Sequence, residues 1–322
     1  GTSESFQKII AKIELYAPHP WPALILGETG VGKELISKKL HDLSPRRAMP
    51  FVPINCSAIP HGLFESEIFG YEKGAFSGAL NSSRGLARMA HGGTLFFDEL
   101  GELDLNLQAK ILRLIDSGEV RSVGSQRIEQ VNVRVVAATH VDLHTAVAAG
   151  LFRQDLLERL SVLRIQVPSL NDRKEDITLI ASAILERLGA KFSLEDLRCL
   201  ETFHWPGNVR QLRNLLIRAT VMGKMRVQEP LLKQLLVEEH QERLVISAPA
   251  DRDALLEGSL EAIEREIIVD RLKKHHGNRK NTAKDLGIAK STLHEKLRRW
   301  KEDPQVPNSW PVARWASPLQ LH

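Results

Sequence analysis

Apolar, β-branched runs alternate with helical patterns through the first half of the chain. Runs at 23–26, 51–55, 94–98, 133–139 and 163–167 each give way to a polar or turn-forming residue, the mark of short strands buried in a sheet. Between them, 35–43 and 107–117 repeat apolar residues at helical spacing. This alternation predicts an α/β domain, a largely parallel sheet with helices on both faces. After Pro168 the strand pattern stops, and 177–188, 194–202 and 208–222 predict three helices, a helical lid. The polar stretch 239–258 predicts a linker. Residues 260–300 are helical by pattern, and the aperiodic, proline-containing 303–322 predicts a flexible tail. The expected organisation is therefore 1–168, an α/β subdomain; 169–238, its lid; 239–258, a linker; 259–302, a small all-α domain; and 303–322, a tail.

Composition narrows the class. With 322 residues, 43% apolar and 26% charged, the chain is an ordinary folded protein and not a disordered one. No apolar run is long enough for a membrane span, so no membrane partner is expected. The N-terminus lacks a secretory pattern. Cys56 and Cys199 are far apart, which excludes a disulfide framework and a zinc finger and fits a reducing cytoplasm. The net charge of +4 is unevenly spread. Residues 271–301 hold eleven Lys and Arg against Asp285 and Glu295, a net +9, so the remainder sums to −5. A basic C-terminal module on a mildly acidic body fits either a nucleic-acid grip or a solvated lysine-rich face.

Gly27-Glu28-Thr29-Gly30-Val31-Gly32-Lys33 lies between the strand at 23–26 and a helix beginning near Glu34. That is the strand–loop–helix setting of a glycine-rich phosphate loop. Glycines let backbone N–H groups approach phosphates with no Cβ in the way, and the helix N-terminus adds positive dipole charge. Lys33 would reach the β- and γ-phosphates of ATP. Where such loops continue with a Ser or Thr whose hydroxyl binds Mg²⁺, this chain has Glu34. Its carboxylate either holds the ion through water or is a first-turn acid favoured by the dipole.

Thr94-Leu95-Phe96-Phe97-Asp98-Glu99 delivers two adjacent carboxylates at the C-terminal end of a strand, where α/β ligand sites lie. Paired with the phosphate loop, Asp98 would hold Mg²⁺ and Glu99 would orient and deprotonate the attacking water.

Between these elements, Gly74-Ala75-Phe76-Ser77-Gly78-Ala79 reads as a loop flanked by glycines and carrying one aromatic anchor. With this segment the sequence resembles the bacterial enhancer-binding proteins, the AAA+ activators of sigma-54 RNA polymerase. The resemblance runs from about residue 1 to 299. It implies that 74–79 is the sigma-54 contact loop, where the family reads Gly-Ala-Phe-Thr-Gly-Ala and this chain has Ser77. It also implies that Asn55 links the catalytic glutamate to that loop. By the same likeness, Arg153 and Arg159, in the segment 152–160, would reach the nucleotide of a neighbouring subunit, and Thr139 would occupy a sensor position. The family usually follows that threonine with Asn, where this chain has His140. Trp205-Pro206-Gly207-Asn208-Val209-Arg210 is similar to the segment opening the family's lid helix, placing Arg210 near the γ-phosphate. The family implies a ring, usually a hexamer, and an N-terminal sensing domain ahead of the ATPase segment.

Residues 281–299 have helix-turn-helix logic. Ala283 allows close helix crossing, Gly287 supplies the turn, and Leu286, Ile288, Leu293 and Leu297 form the seam. The second helix would expose Lys290, Ser291, Thr292, His294, Glu295 and Arg298, its first residues facing base edges. Lys284, Lys296 and Arg299 would meet phosphate. The segment also looks like the Fis-type domain that ends these activators, with 261–273 as a dimer-forming helix before it. The expected function is an ATP-hydrolysing activator that binds enhancer DNA and remodels sigma-54 holoenzyme. Ser77 keeps a second reading open, a DNA-binding regulator or repressor that works without sigma-54 and uses nucleotide to set its oligomeric state.

Overall fold

The computed structural model describes residues 1–76, 78–246, 264, 267, 268, 271, 272, 275 and 278–301. The chain divides into two compact units, Gly1–Glu238 and Glu239–His322. In the first unit the elements run α1 (Glu4–Tyr16), β1 (Ala23–Leu26), α2 (Lys33–Asp42), β2 (Phe51–Asn55), α3 (His61–Phe69), α4 (Leu86–Met89), β3 (Thr94–Asp98) and α5 (Leu105–Ser117). They continue through β4 (Glu119–Arg121), β5 (Ile128–Gln130), β6 (Arg134–Thr139), α6 (Leu143–Ala148), α7 (Gln154–Leu160) and β7 (Leu163–Gln166). The lid holds α8 (Ile177–Leu188), α9 (Leu194–Leu197), α10 (Asn208–Met222) and α11 (Glu229–Ile246). Among the described residues no helix is long and apolar enough to cross a membrane.

The main sheet is parallel, in the order β2-β3-β6-β1-β7. Side chains alternate across it. Leu24, Leu95, Phe97, Val135 and Ala137 face a core completed by Phe64 and Ile68 of α3, Leu107 and Ile111 of α5, and Leu156 of α7. Ala23, Ile25, Phe96, Val136 and Ala138 face Ile9 and Ile13 of α1 and Ile36 and Leu40 of α2. Pro53, which has no N–H to give a ladder, sits on edge strand β2. Arg134 opens β6 fully buried, and its guanidinium donates to the carbonyls of Tyr16 (2.9 Å) and Ala17 (2.8 Å), satisfying the end of α1. Burial pushes its pKa down to about 10, so it remains charged at neutral pH.

The small antiparallel hairpin β4–β5 lies outside this sheet. The lid has its own core around Trp205, whose indole N–H donates to Leu200 O at 2.9 Å. The helix expected at 194–202 is α9 followed by a tighter 3-10 turn, Arg198–Thr202. The first residues of the linker expected from Glu239 are helical, because α11 runs to Ile246. The Leu- and Glu-rich sequence after Pro230 has high helix propensity and meets no proline or glycine before Pro249. The rest of the expected linker, most of 261–273 and the expected tail lie outside the described residues.

In the second unit, α12 (Arg279–Asp285) is capped by the Asn278 side chain, which accepts from the N–H groups of Lys280 and Asn281. Gly287, at φ 67°, makes the turn. The helix α13 (Lys290–Lys301) follows. Ala283, Leu293 and Leu297 pack with Ile268 and Leu272, with Leu286 and Ile288 against them.

Candidate functional site

The phosphate loop leaves the C-terminal end of β1, and its glycines take conformations that other residues avoid. Gly30 (φ 82°) and Gly32 (φ 102°) are left-handed, and Gly32 is the residue from which α2 starts. A Cβ at Gly30 would collide with the Gly207 carbonyl of the lid. Lys33 is buried. Its ammonium donates to Gly27 O at 2.9 Å and Glu28 O at 3.3 Å, so the loop curls around this charge.

Two carboxylates stand opposite, at the end of β3. Asp98 is raised above the ordinary carboxylate range by burial and by the neighbouring Glu99 charge. Glu99 adopts φ 56°, a strained conformation for a side chain with a Cβ and one concentrated at functional sites. Its Oε1 lies 3.3 Å from Lys33 Nζ. Its Oε2 lies 2.6 Å from His140 Nδ1 and 3.3 Å from the His140 N–H. An ionised carboxylate only accepts, so Nδ1 carries the proton here. Burial pushes Glu99 up, but the His140 hydrogen bond and the Lys33 charge outweigh it and hold the group below its usual range.

The lid completes the site. Arg210 and Arg213 lie on successive turns of α10 and line a cleft of about 190 Å³ with Gly30, Lys33, Asp98 and Glu99. Glu34 lines it as well. Asn208 (φ 52°) locks the lid to the loop. Its amide donates to Glu28 Oε2 (2.9 Å) and Thr29 O (3.1 Å) and its oxygen accepts from Leu170 N–H (2.6 Å). The buried Arg173 donates to Val31 O at 3.1 Å. Two carboxylates beside a phosphate cradle suit Mg²⁺, which takes one or two protein carboxylates and keeps water or phosphate oxygens for the rest.

Other expected residues do not line this cleft. Asn55 pairs in register with Asp98, but its side-chain oxygen accepts from Ser57 N–H (3.0 Å), Ser57 Oγ (2.7 Å) and Ala58 N–H (3.2 Å). The polar contacts on Glu99 come from Lys33 and His140. Thr139 is buried and its hydroxyl accepts from Val141 N–H at 3.0 Å, so the next residue, His140, is the one that reaches Glu99. Arg153 pairs with Asp155 through Nε (3.0 Å) and a terminal nitrogen (2.6 Å), and exposed Arg159 pairs with Asp116 at 2.9 Å. Sequence reasoning missed the contacts of His140, Asn208 and Arg173. The one signal was that His140 stands where the resembled family has Asn.

The loop at 74–79 is pinched shut at its base by the Gly74 N–H donating to Ala79 O at 2.9 Å, with Gly74 (φ 86°) and Gly78 (φ 106°) making its bends. Phe76 is 42% exposed and tilts against Tyr71 at 5.1 Å between ring centroids. The stem is stitched to the β4–β5 hairpin, since Glu72 N–H donates to Val123 O (3.0 Å) and Val123 N–H to Gly70 O (2.9 Å). Ser77 lies outside the described residues.

On the helix-turn-helix unit, Lys284, Lys290, Ser291, Thr292, His294, Glu295 and Arg298 are exposed. Lys296 is half-buried and paired with Glu264 at 2.7 Å. The Arg299 side chain lies outside the described set. Arg279 approaches His294 Nδ1 at 3.1 Å.

Three family models match the chain. Residues 1–166 match the sigma-54 interaction domain, 171–246 the AAA+ ATPase lid domain, and 259–300 the bacterial regulatory protein, Fis family. The chain is 41% identical to the nitric oxide reductase transcription regulator NorR2 of Cupriavidus necator, over 93% of this chain and 62% of that protein. It is 40% identical to the transcriptional regulatory protein ZraR of Escherichia coli, over 93% and 68%. The crystal structure of NtrX from Brucella abortus in complex with ATP superposes with a TM-score of 0.66 at 30% identity, over 93% of this chain and 68% of that one. The chain thus spans less than two thirds of the length of NorR2.

Proposed function

The chain belongs to the sigma-54 interaction domain family, with an AAA+ lid and a Fis-family module, and from that premise we propose that it is an ATP-hydrolysing transcriptional activator. It binds enhancer DNA and uses hydrolysis to remodel the sigma-54 RNA polymerase holoenzyme towards the open complex. It works in the cytoplasm as a hexameric ring with paired DNA-binding domains. The observation that carries the reading is the convergence of Lys33, Asp98, Glu99 and the lid's Arg210 on one cleft.

In this mechanism the N–H groups of 27–32 and the Lys33 ammonium hold the β- and γ-phosphates. Asp98, with Glu34, would hold Mg²⁺, which when bound neutralises phosphate charge. Glu99 accepts a hydrogen bond from water and takes its proton as the water oxygen attacks the γ-phosphorus. The bond to the β–γ bridging oxygen breaks and ADP leaves with the electron pair. Arg210 supports the γ-phosphate from the lid. Arg153 and Arg159 complete the site of the neighbouring subunit, so hydrolysis depends on assembly. The loop carrying Phe76 and Ser77, between Gly74-Ala75 and Gly78-Ala79, presses on sigma-54. The module around Lys284, Lys290, Ser291 and Arg298 tethers the ring upstream.

The test is ATP turnover by the purified chain. Glu99→Gln should retain nucleotide and lose hydrolysis, whereas Lys33→Ala should lose nucleotide. A Glu99→Gln variant that turns over ATP at the parent rate contradicts the assignment.

A further inference from the structure

Gln108 is a glutamine with no access to solvent, one turn into α5. Both N–H groups of its amide and its oxygen are engaged, and each partner is backbone. Nε2 donates to Leu103 O at 2.7 Å and to Leu151 O at 3.0 Å. Oε1 accepts from the Arg153 N–H at 2.8 Å. Arg153 is the residue from which α7 starts, with no side-chain cap, and N–H groups at a helix start have no partner within the helix. Gln108 supplies that partner from another element.

The three backbone segments it joins are informative. Leu103 ends the short turn that leaves Glu99, in which Glu102 N–H donates to Glu99 O at 3.1 Å. Leu151 and Arg153 flank the buried Phe152, in the loop between α6 and α7. A buried amide bonded through both N–H groups and its oxygen is tightly constrained, so the Arg153 backbone is held at a fixed position relative to the end of the Glu99 strand. The far end of the same helix holds the other arginine, through the pair between Asp116 and Arg159 at 2.9 Å.

We infer that Gln108 is a positioning residue for Arg153, fixing where a subunit presents that arginine to its neighbour's nucleotide. This rests on the proposed action of Arg153 across the subunit interface. Its consequence is directional. Loss of Gln108 spoils the site of the adjacent subunit and leaves the subunit's own Lys33, Asp98 and Glu99 intact.

The experiment uses the whole chain with Gln108→Met, which keeps length and removes all three hydrogen bonds. A fluorescent ATP analogue should bind with the parent Kd, while kcat falls about a hundredfold, the cost of roughly an ångström of misplacement. Mixed with Glu99→Gln subunits, whose Arg153 is correctly held, Gln108→Met subunits should regain ATPase. Mixed with Arg153→Ala subunits they should not, because neither partner presents a usable arginine. Tagged co-purification establishes that mixed assemblies form. Parent-like kcat in Gln108→Met overturns the inference. So does failure of Glu99→Gln to rescue it while rescuing Arg153→Ala. An Arg153→Ala variant with parent ATPase would instead remove the reading beneath it. Should Gln108→Met not fold, hydrogen exchange of the parent decides. The Arg153 amide should be protected, and exchange at the rate of an unbonded amide contradicts the inference.

Discussion

The Lys33 ammonium stands 3.3 Å from Glu99 Oε1, so the group proposed to hold the phosphates and the group proposed to activate water form an ion pair. A nucleotide must draw Lys33 away from Glu99. Glu99→Gln removes that competitor along with the base. A hydrogen bond to a charged group is worth about 1.5–3 kcal/mol, so the variant should bind ATP about tenfold more tightly while losing hydrolysis. Titration with a fluorescent ATP analogue measures this, and unchanged or weaker binding contradicts the competition.

His140 lies 2.6 Å from Glu99 Oε2 and orients the carboxylate. His140→Ala should lower kcat by about tenfold or more, for the same hydrogen-bond energy, with KM for ATP close to the parent value. His140→Asn keeps a donor and should recover part of the loss. Equal effects of Ala and Asn would mean that His140 does not act through its hydrogen bond.

Asp176, at the lid's edge, accepts from the Ser3 hydroxyl at 2.7 Å and the Ser3 N–H at 2.9 Å. Burial raises its pKa, but these bonds outweigh burial and leave it below the ordinary range. Its contribution to stability is therefore complete above the unfolded pKa, about 3.9, and is lost as pH falls through the lower folded value. Asp176→Ala should cost about 1.5–3 kcal/mol at neutral pH. The gap to the parent in denaturant midpoint should close below pH 4, and a gap independent of pH would contradict the charge-based account.

The DNA module offers a contrast between two lysines. Lys284 is exposed, whereas Lys296 is paired with Glu264. Lys284→Ala should weaken all duplexes alike and flatten the salt slope by about one unit. Lys296→Ala should change the slope less, since its charge is already matched. Ser291→Ala should alter sequence preference. Fluorescence anisotropy over a salt series separates these outcomes, and equal slopes for the two lysine variants would contradict the pairing.

Much of this architecture is legible in the sequence because strands buried on both faces leave continuous apolar runs. The buried strands at 23–26 and 94–98 have the bounds their runs predict, and so has the edge strand at 51–55, although only Ile54 of it is buried. The hairpin β4–β5 is not legible, since Glu119–Arg121 and Ile128–Gln130 are too short and too polar to leave a pattern. The start of α1 is set by the Ser3 side chain accepting from Phe6 N–H, a cap recognisable only once its helix is known. The phosphate loop and the Asp98-Glu99 pair are visible as motifs because their chemistry is local. The contact between His140 and Glu99 depends on β3 and β6 being neighbours, which no short stretch of sequence encodes.

The central claim is that hydrolysis at the Lys33–Glu99 cleft is coupled, through the loop carrying Phe76, to opening of sigma-54 promoters. The most direct measurement is open-complex formation by sigma-54 holoenzyme on a promoter with an upstream site, beside ATPase rates of the same preparations. The parent should drive opening only with hydrolysable ATP. Phe76→Ala should abolish opening while keeping ATPase and DNA binding, since an apolar anchor of this size is worth about 1.5–3 kcal/mol. Ser77→Thr should preserve or modestly raise opening, because the added methyl is worth at most about 0.8 kcal/mol. Robust ATPase and DNA binding with no open complex, unrescued by Ser77→Thr, would contradict the account and favour a regulator that works without sigma-54.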